Sequence, residues 1–150
     1  MSLEQQISKG IMEAMKAKDT ARLSALRNAK KYIIEAKTAG PGIAELADAD
    51  VLKIISKLAK QGADSAALFR EKGRDDLAAE EEAQVAVYRE LLPKMLSSEE
   101  LTAAVRAIIA EVGATSLKDL GKVMGAAAKQ LAGQADGKAI AAKVKELLTA

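Results

Sequence analysis

The sequence predicts an all-α protein, and three observations carry that reading. Alanine supplies an unusually large part of the 49% hydrophobic content, and alanine is the strongest helix former and a weak strand former. Only two prolines interrupt the 150 residues. Apolar residues recur three and four apart through every segment, and strand alternation is nowhere sustained. The expected architecture is an N-terminal four-helix unit over residues 1–93, followed by a small three-helix bundle over residues 94–150. One Phe and two Tyr leave little aromatic area to bury, so the expected stability is moderate.

The first helix is expected from Leu3 to Lys16, with Leu3, Ile7, Ile11 and Met15 on one stripe. Asp19 or Thr20 can cap a second, in which Leu23, Leu26, Ala29 and Ile33 recur until Gly40-Pro41-Gly42 breaks it. Asp48 or Asp50 starts a long third helix through Val51, Ile55 and Leu58 to Phe69, with Gly73 at the position after its C-cap. Gly62 falls inside that helix, costs about 1 kcal/mol relative to Ala, and so marks close packing. The fourth carries Leu77, Val85, Tyr88 and Leu92, with its acidic residues early, where the helix dipole favours them. Pro93 is the boundary. Ser97 and Glu100 then form a capping box for a helix through Leu101, Val105, Ile108 and Val112 that stops at Gly113. Ser116 caps the next, with Asp119 at the box position and Leu117, Leu120, Met124 and Leu131 inside. Asp136 caps the last, with Ile140, Val144 and Leu147 facing in.

The residues that are absent exclude most enzyme classes. No Cys means no disulfide, no thiolate nucleophile and no Cys-ligated zinc or iron–sulfur cluster. No His removes the commonest general base and metal ligand, and every Ser-His-Asp or Cys-His arrangement. The segment Lys60-Gln61-Gly62-Ala63-Asp64-Ser65 is no phosphate loop, since no strand precedes it and no Gly-Lys-Ser/Thr follows. Asp75, Asp76, Glu80, Glu81 and Glu82 lack the alternation of a calcium loop and read as the acidic start of a helix. The expectation is no catalytic residue, no cofactor and no metal. Met1 to Lys18 has no continuous apolar run for a secretory signal, and no stretch suits a membrane span. A cytoplasmic monomer is expected.

Charge is balanced overall, at a formal +2, but uneven along the chain. From Lys9 to Lys37 eight basic residues face three acidic ones; from 64 to 82 seven acidic residues face three basic ones. The simplest reading is two helices lying side by side and neutralising each other on a solvated face. The C-terminal unit carries the whole net charge, with eight Lys/Arg against six Asp/Glu from Lys94 onward. Within it, Gly121 and Gly125 form a bare stripe on one helix, with Lys118 and Lys122 beside it, and Asp136-Gly137-Lys138 opens the last helix. Bare backbone, a helix start and several lysines suit a sugar–phosphate chain at close range. The competing reading is that the two glycines let another helix approach. That unit has no aromatic residue, so a nucleic acid would be read there by shape and phosphate rather than by base.

At these residues the chain resembles the GatB/YqeY family over essentially its whole length. The resemblance rests on Lys18-Asp19-Thr20 through Leu26-Arg27, Lys60-Gln61 with Asp64-Ser65, and Gly73-Arg74-Asp75-Asp76-Leu77-Ala78 with Glu81. It continues through Tyr88 and Leu91-Leu92-Pro93, Leu96-Ser97 with Glu99-Glu100-Leu101, and Gly113-Ala114. Asp119, Gly121-Lys122-Val123-Met124-Gly125 and Ala135-Asp136-Gly137-Lys138 complete it. Two departures stand out: Gly62 follows the Lys-Gln pair where the family more usually has an arginine, and Ala126, Ala127 and Ala128 stand where bulkier residues are usual.

The resemblance implies a stand-alone relative of the helical tail of GatB, a component of the tRNA-dependent amidotransferase that corrects Glu-tRNA(Gln) or Asp-tRNA(Asn). There the catalytic steps belong to other parts of the enzyme, so a label such as carbon–nitrogen ligase with glutamine as amide donor would be inherited, not an activity of this chain. The expectation is therefore a non-catalytic module for tRNA or similarly folded RNA. Lys118, Lys122 and Lys138 would meet phosphates, Gly121, Gly125 and Gly137 would allow close approach, and Arg22, Arg27 and Lys30 would form a second, weaker patch. The rival is a protein–protein adaptor using the acidic helix from Asp75 or an apolar groove of the C-terminal unit.

Overall fold

The computed structural model describes residues 1–149. Among them it shows seven α-helices, one 3₁₀ turn and no strand. The helices are α1 (Leu3–Ala17), α2 (Thr20–Thr38), α3 (Asp48–Glu71), α4 (Asp75–Leu91), α5 (Ser98–Val112), α6 (Leu120–Gln130) and α7 (Gly137–Thr149). The 3₁₀ turn spans Leu117–Asp119, directly before α6. The chain divides into two compact units, Met1–Leu92 and the residues from Pro93 onward.

The first unit is held together by close helix pairs. α3 and α4 are joined by a tight turn in which Gly73 adopts φ +75°, a left-handed conformation that glycine takes without penalty. They run antiparallel, with Gly62 against Val85 and Arg70 against Glu82. A Cβ on Gly62 would stand 2.6 Å from Val85 Cγ2, so the glycine expected to mark close packing does so. A second bare position does the same on α1, where a Cβ on Gly10 would stand 2.9 Å from Leu26 Cδ1 of α2. The core between these helices comprises Leu3, Ile7, Leu26, Ile33, Val51, Ile55, Val87 and Tyr88, with Ala25 and Ala29 completely buried. Tyr88 keeps its hydroxyl paired, accepting a hydrogen bond from Asn28 Nδ2 at 3.1 Å.

The starts of α2 and α3 are as expected, and the core stripe of α1 differs in detail. Asp19 caps α2, accepting from the Arg22 amide at 3.1 Å. Asp48 does not cap α3: Ala47 holds the N-cap position without a side-chain bond, and Asp48 is the first residue of the helix itself. Its carboxylate accepts the Leu3 N–H at 2.9 Å, so it satisfies an orphan donor of α1 instead. Met15 is 53% exposed, and its expected place in the core is taken by Ala14. The apolar stripe drifts by one residue because α1 is a straight helix of 3.6 residues per turn.

The loop between α2 and α3 is tied down by Glu4. That carboxylate accepts from Lys37 Nζ at the end of α2 and from the Leu46 N–H at 2.9 Å, and Leu46 itself is buried in the core. The Lys37 bond, the Leu46 bond and the lysine charge together hold the Glu4 carboxyl below its ordinary range.

In the second unit the Ser97–Glu100 capping box forms as expected, and α5 ends on Gly113 with φ +70°. Its core is Leu101, Val105 and Ile108 from α5, Val123 and Ala127 from α6, Leu131, and Ile140 and Val144 from α7. The Leu96 N–H donates to the Gln134 carbonyl at 2.8 Å, tying the approach to α5 against the turn between α6 and α7. The Ser116 signal is read differently from expectation. Its hydroxyl accepts from the Lys118 amide, two residues on rather than three, and the Asp119 carboxylate accepts chiefly from the Thr115 N–H. The turn is consequently 3₁₀, and Leu117 is left 50% exposed instead of entering the core.

Two outcomes follow from this packing. Gly62→Ala should lower the stability of the first unit by about 1–3 kcal/mol despite the better helix propensity of Ala, measured by urea denaturation followed at 222 nm. Glu4 contributes stability that is present above about pH 4.5, its ordinary pKa, and is lost as the pH falls through the lowered folded value. Glu4→Gln should therefore destabilise by about 1.5–3 kcal/mol at pH 7, with the difference from the parent shrinking on acidification below pH 4.5 in a pH series of denaturation curves.

Candidate nucleic-acid interface

The C-terminal residues singled out from the sequence fall on the exposed side of α6 and at the start of α7. α6 is amphipathic: Val123 and Ala127 are fully buried, which turns Gly121, Lys122, Gly125 and Lys129 outward. A Cβ added at Gly121, Gly125 or Gly137 would meet no atom within 4 Å. The glycine stripe is therefore open, and among the described residues no helix packs on it. The reading in which these glycines admit a neighbouring helix of the same unit is set aside by that geometry.

A shallow hollow of about 480 Å³ lies on this side, lined by Gly121, Lys122, Gly125, Ala126, Lys129 and Gln130. Its two charged lining residues are both lysines. Gln130 is turned toward α5, donating from Nε2 to Glu111 Oε2 at 3.3 Å. The structure thus brings Gly121, Lys122 and Gly125 together and adds Lys129, which was not among the expected residues. The signal was available: 122 and 129 are seven apart, two helical turns, on the side opposite Val123 and Ala127.

Lys118 does not join them as expected. It belongs to the 3₁₀ turn before α6, so the four-residue spacing to Lys122 does not place both on one helical stripe. Lys118 and Lys138 are exposed and lie outside the lining of the hollow, as does Gly137. The Asp136 carbonyl accepts the first bond of α7, from the Ile140 N–H at 3.0 Å. Asp119 is held below the usual carboxylate range, chiefly by the Thr115 N–H, with the Ser116 amide and the Lys122 charge adding to it.

The second basic group, in the first unit, is partly committed to internal bonds. Arg22 donates to Glu90 at 2.7 Å and lies 3.5 Å from Asp19. Lys30 Nζ donates to Ser8 Oγ at 3.2 Å, while Arg27 is exposed. The acidic stretch is neutralised more locally than expected. Arg70 forks onto Glu82 at 2.9 and 2.7 Å, and Arg74 pairs with Asp76 at 3.1 Å. One ion pair crosses from α2 to α4, Arg22 to Glu90, and Glu90 lies beyond the 64–82 run.

A family model described as Yqey-like protein matches residues 4–148. The chain belongs to the Yqey-like family. No curated protein matches it significantly. The match spans both units, so the α3–α4 pair and the α6 hollow are both parts of this Yqey-like chain. Among its described residues no helix is long and apolar enough to cross a membrane, and no three acidic side chains gather as a metal site would need. Gly62 faces Val85 and is buried. A side chain placed there in this chain would enter the α3–α4 contact rather than solvent.

Asp119→Ala frees the Thr115 amide, and the loss should appear as a lower unfolding midpoint of the second unit with native helix content retained.

Proposed function

We propose that this Yqey-like chain is a non-catalytic helical module that engages tRNA or a similarly folded RNA through the open side of α6. The observation that carries the reading is the hollow lined by Lys122 and Lys129 around Gly121 and Gly125, where no side chain stands between solvent and the helix backbone. A phosphate chain needs positive charge and room to come close, and both are provided there. The lysine ammonium groups would neutralise phosphates while the bare glycines admit the ribose edge. Lys118 and Lys138 would act as outlying phosphate contacts, and Arg27 as the freest member of the second basic group. The relation to the GatB tail of the amidotransferase, implied by the family, makes tRNA the first RNA to try. The absence of His and Cys from the sequence leaves the usual nucleophile–base pairs without members.

A second reading, a protein adaptor, draws on one feature of the first unit. Between α3 and α4 lies an open groove of about 830 Å³ whose lining combines alanines and Val85 with the charged Arg70, Glu82, Arg89 and Glu90.

The deciding measurement is tRNA binding by the full chain across a salt series, with a plain RNA duplex as control. Lys122→Ala with Lys129→Ala should weaken tRNA binding and reduce the slope of log Kobs against log salt by about 1–2. Gly125→Leu, which changes no charge, should weaken binding while preserving helix content. Unchanged affinity and slope in the double variant would remove α6 as the site. Absence of binding by the parent chain even at low salt would leave the adaptor reading in front.

A further inference from the structure

All three aromatic residues of the chain lie in the first unit, and one of them stands at the edge of a cavity. Between α2 and α3 is a hollow of about 430 Å³ whose lining includes Tyr32 and Glu35 from α2 and Ile54, Lys57, Leu58 and Gln61 from α3. Leu58 is buried and Ile54 half-buried, so the base of the hollow is apolar. Tyr32 is 38% exposed, and Lys31 Nζ sits 5.5 Å from its ring centroid. The volume falls in the range of small-ligand sites, which combine an apolar floor with a few polar groups.

The hollow has one acidic and one basic lining residue, Glu35 and Lys57, and further lysines flank it. From Val51 to Ala63, α3 contains Lys53, Lys57 and Lys60 and no acidic residue. Spaced by four and three, these lysines follow one stripe of the helix, with Lys57 at the hollow and the other two on either side of it. All three are exposed, as is Lys31 across from them. Among the described residues none of the four takes part in an ion pair. The basic residues of α1 and α2, by contrast, are partly held by Glu4, Glu13, Asp19 and Glu90. Uncompensated cations beside an exposed aromatic ring and an apolar floor suit a planar ring that carries an anionic group.

We propose that the α2–α3 hollow is a binding site for a nucleoside monophosphate unit. The base stacks against Tyr32 over the Ile54–Leu58 floor, and the phosphate lies on Lys57 within the field of Lys31, Lys53 and Lys60. Glu35, the acidic residue of the lining, and the Gln61 amide supply hydrogen-bond partners for the amino groups of the base and the hydroxyls of ribose. The same chemistry is offered by a free nucleotide and by one unpaired nucleotide of an RNA. The site lies wholly in the first unit and does not depend on α6 binding RNA.

The test is titration of the ¹⁵N-labelled full chain with AMP, ribose 5-phosphate and a tetra-adenylate, followed by amide chemical shifts. AMP should move resonances of residues 32–39 and 54–61, and ribose 5-phosphate should bind at least tenfold more weakly. Tyr32→Ala should weaken AMP binding at least tenfold, Tyr32→Phe should retain it, and Lys57→Ala should weaken it threefold or more. Lys122→Ala with Lys129→Ala should leave AMP binding unchanged, which separates this site from the one on α6. Equal binding of AMP and ribose 5-phosphate would overturn the proposal, as would shifts confined to other surfaces. So would parental AMP affinity in a Tyr32→Ala variant with a native spectrum. A tetra-adenylate bound more than tenfold tighter than AMP assigns the site to unpaired RNA; equal or weaker binding assigns it to a free nucleotide.

Discussion

Close approach of helices through positions with little or no side chain is the constraint on which the first unit depends. With one Phe, two Tyr and no Trp, the chain has few large side chains to fill space between helices. Interior density must be reached in another way, because voids forfeit dispersion contacts on both sides. Here the helices move inward. Gly62 lets Val85 lie almost on the α3 backbone, Gly10 admits Leu26, and Ala25, Ala29 and Ala78 are completely buried. Tyr88 is the large exception, and its hydroxyl is satisfied by Asn28.

Charge then finishes what packing begins, by fixing ends and loops rather than by crossing the core. Glu4 and Asp48 each reach from one helix to an orphan amide elsewhere, at Leu46 and Leu3 respectively. They join the first turn of α1 to the loop after α2 and to the start of α3. Glu4 is only 16% exposed at its side chain, so its bonds are less screened than the exposed pairs Arg70–Glu82 and Arg74–Asp76. The exposed pairs hold the α3–α4 turn locally, while Lys53, Lys57 and Lys60 of mid-α3 take part in no ion pair among the described residues.

The same residue type serves opposite ends in the two units. Gly62 is bare because a neighbour occupies the space its side chain would fill; Gly121 and Gly125 are bare with that space empty. A glycine in a helix interior costs about 1 kcal/mol relative to Ala, so Gly125, in the middle of the eleven-residue α6, opposes its stability without a compensating contact within the unit, and Gly121 in the first turn adds none. That imbalance is the physical reason for looking outward from α6 for what benefits from them.

The sequence by itself determined the helical class, the succession of helices and most of their ends, because these depend on local chemistry. Alanine content and apolar spacing identify helices, and Ser97–Glu100, Asp19, Gly73 and Gly113 act on backbone groups three or four residues away. What depended on contacts distant in the chain was decided only by the tertiary structure. Asp48 marks the start of α3, but only packing shows that its carboxylate serves α1, 45 residues earlier. Leu117 and Met15 obeyed the apolar spacing but sit in solvent, since a 3₁₀ turn and a one-residue drift of the stripe redirect them. At the candidate site, Gly121, Lys122 and Gly125 were legible from helical spacing. Lys118 was misplaced by assuming an unbroken α-helix, and the grouping of Tyr32 with Lys57 was invisible, since the two lie on different helices. Periodicity reports which way a residue points on its own helix; only packing determines what it points at.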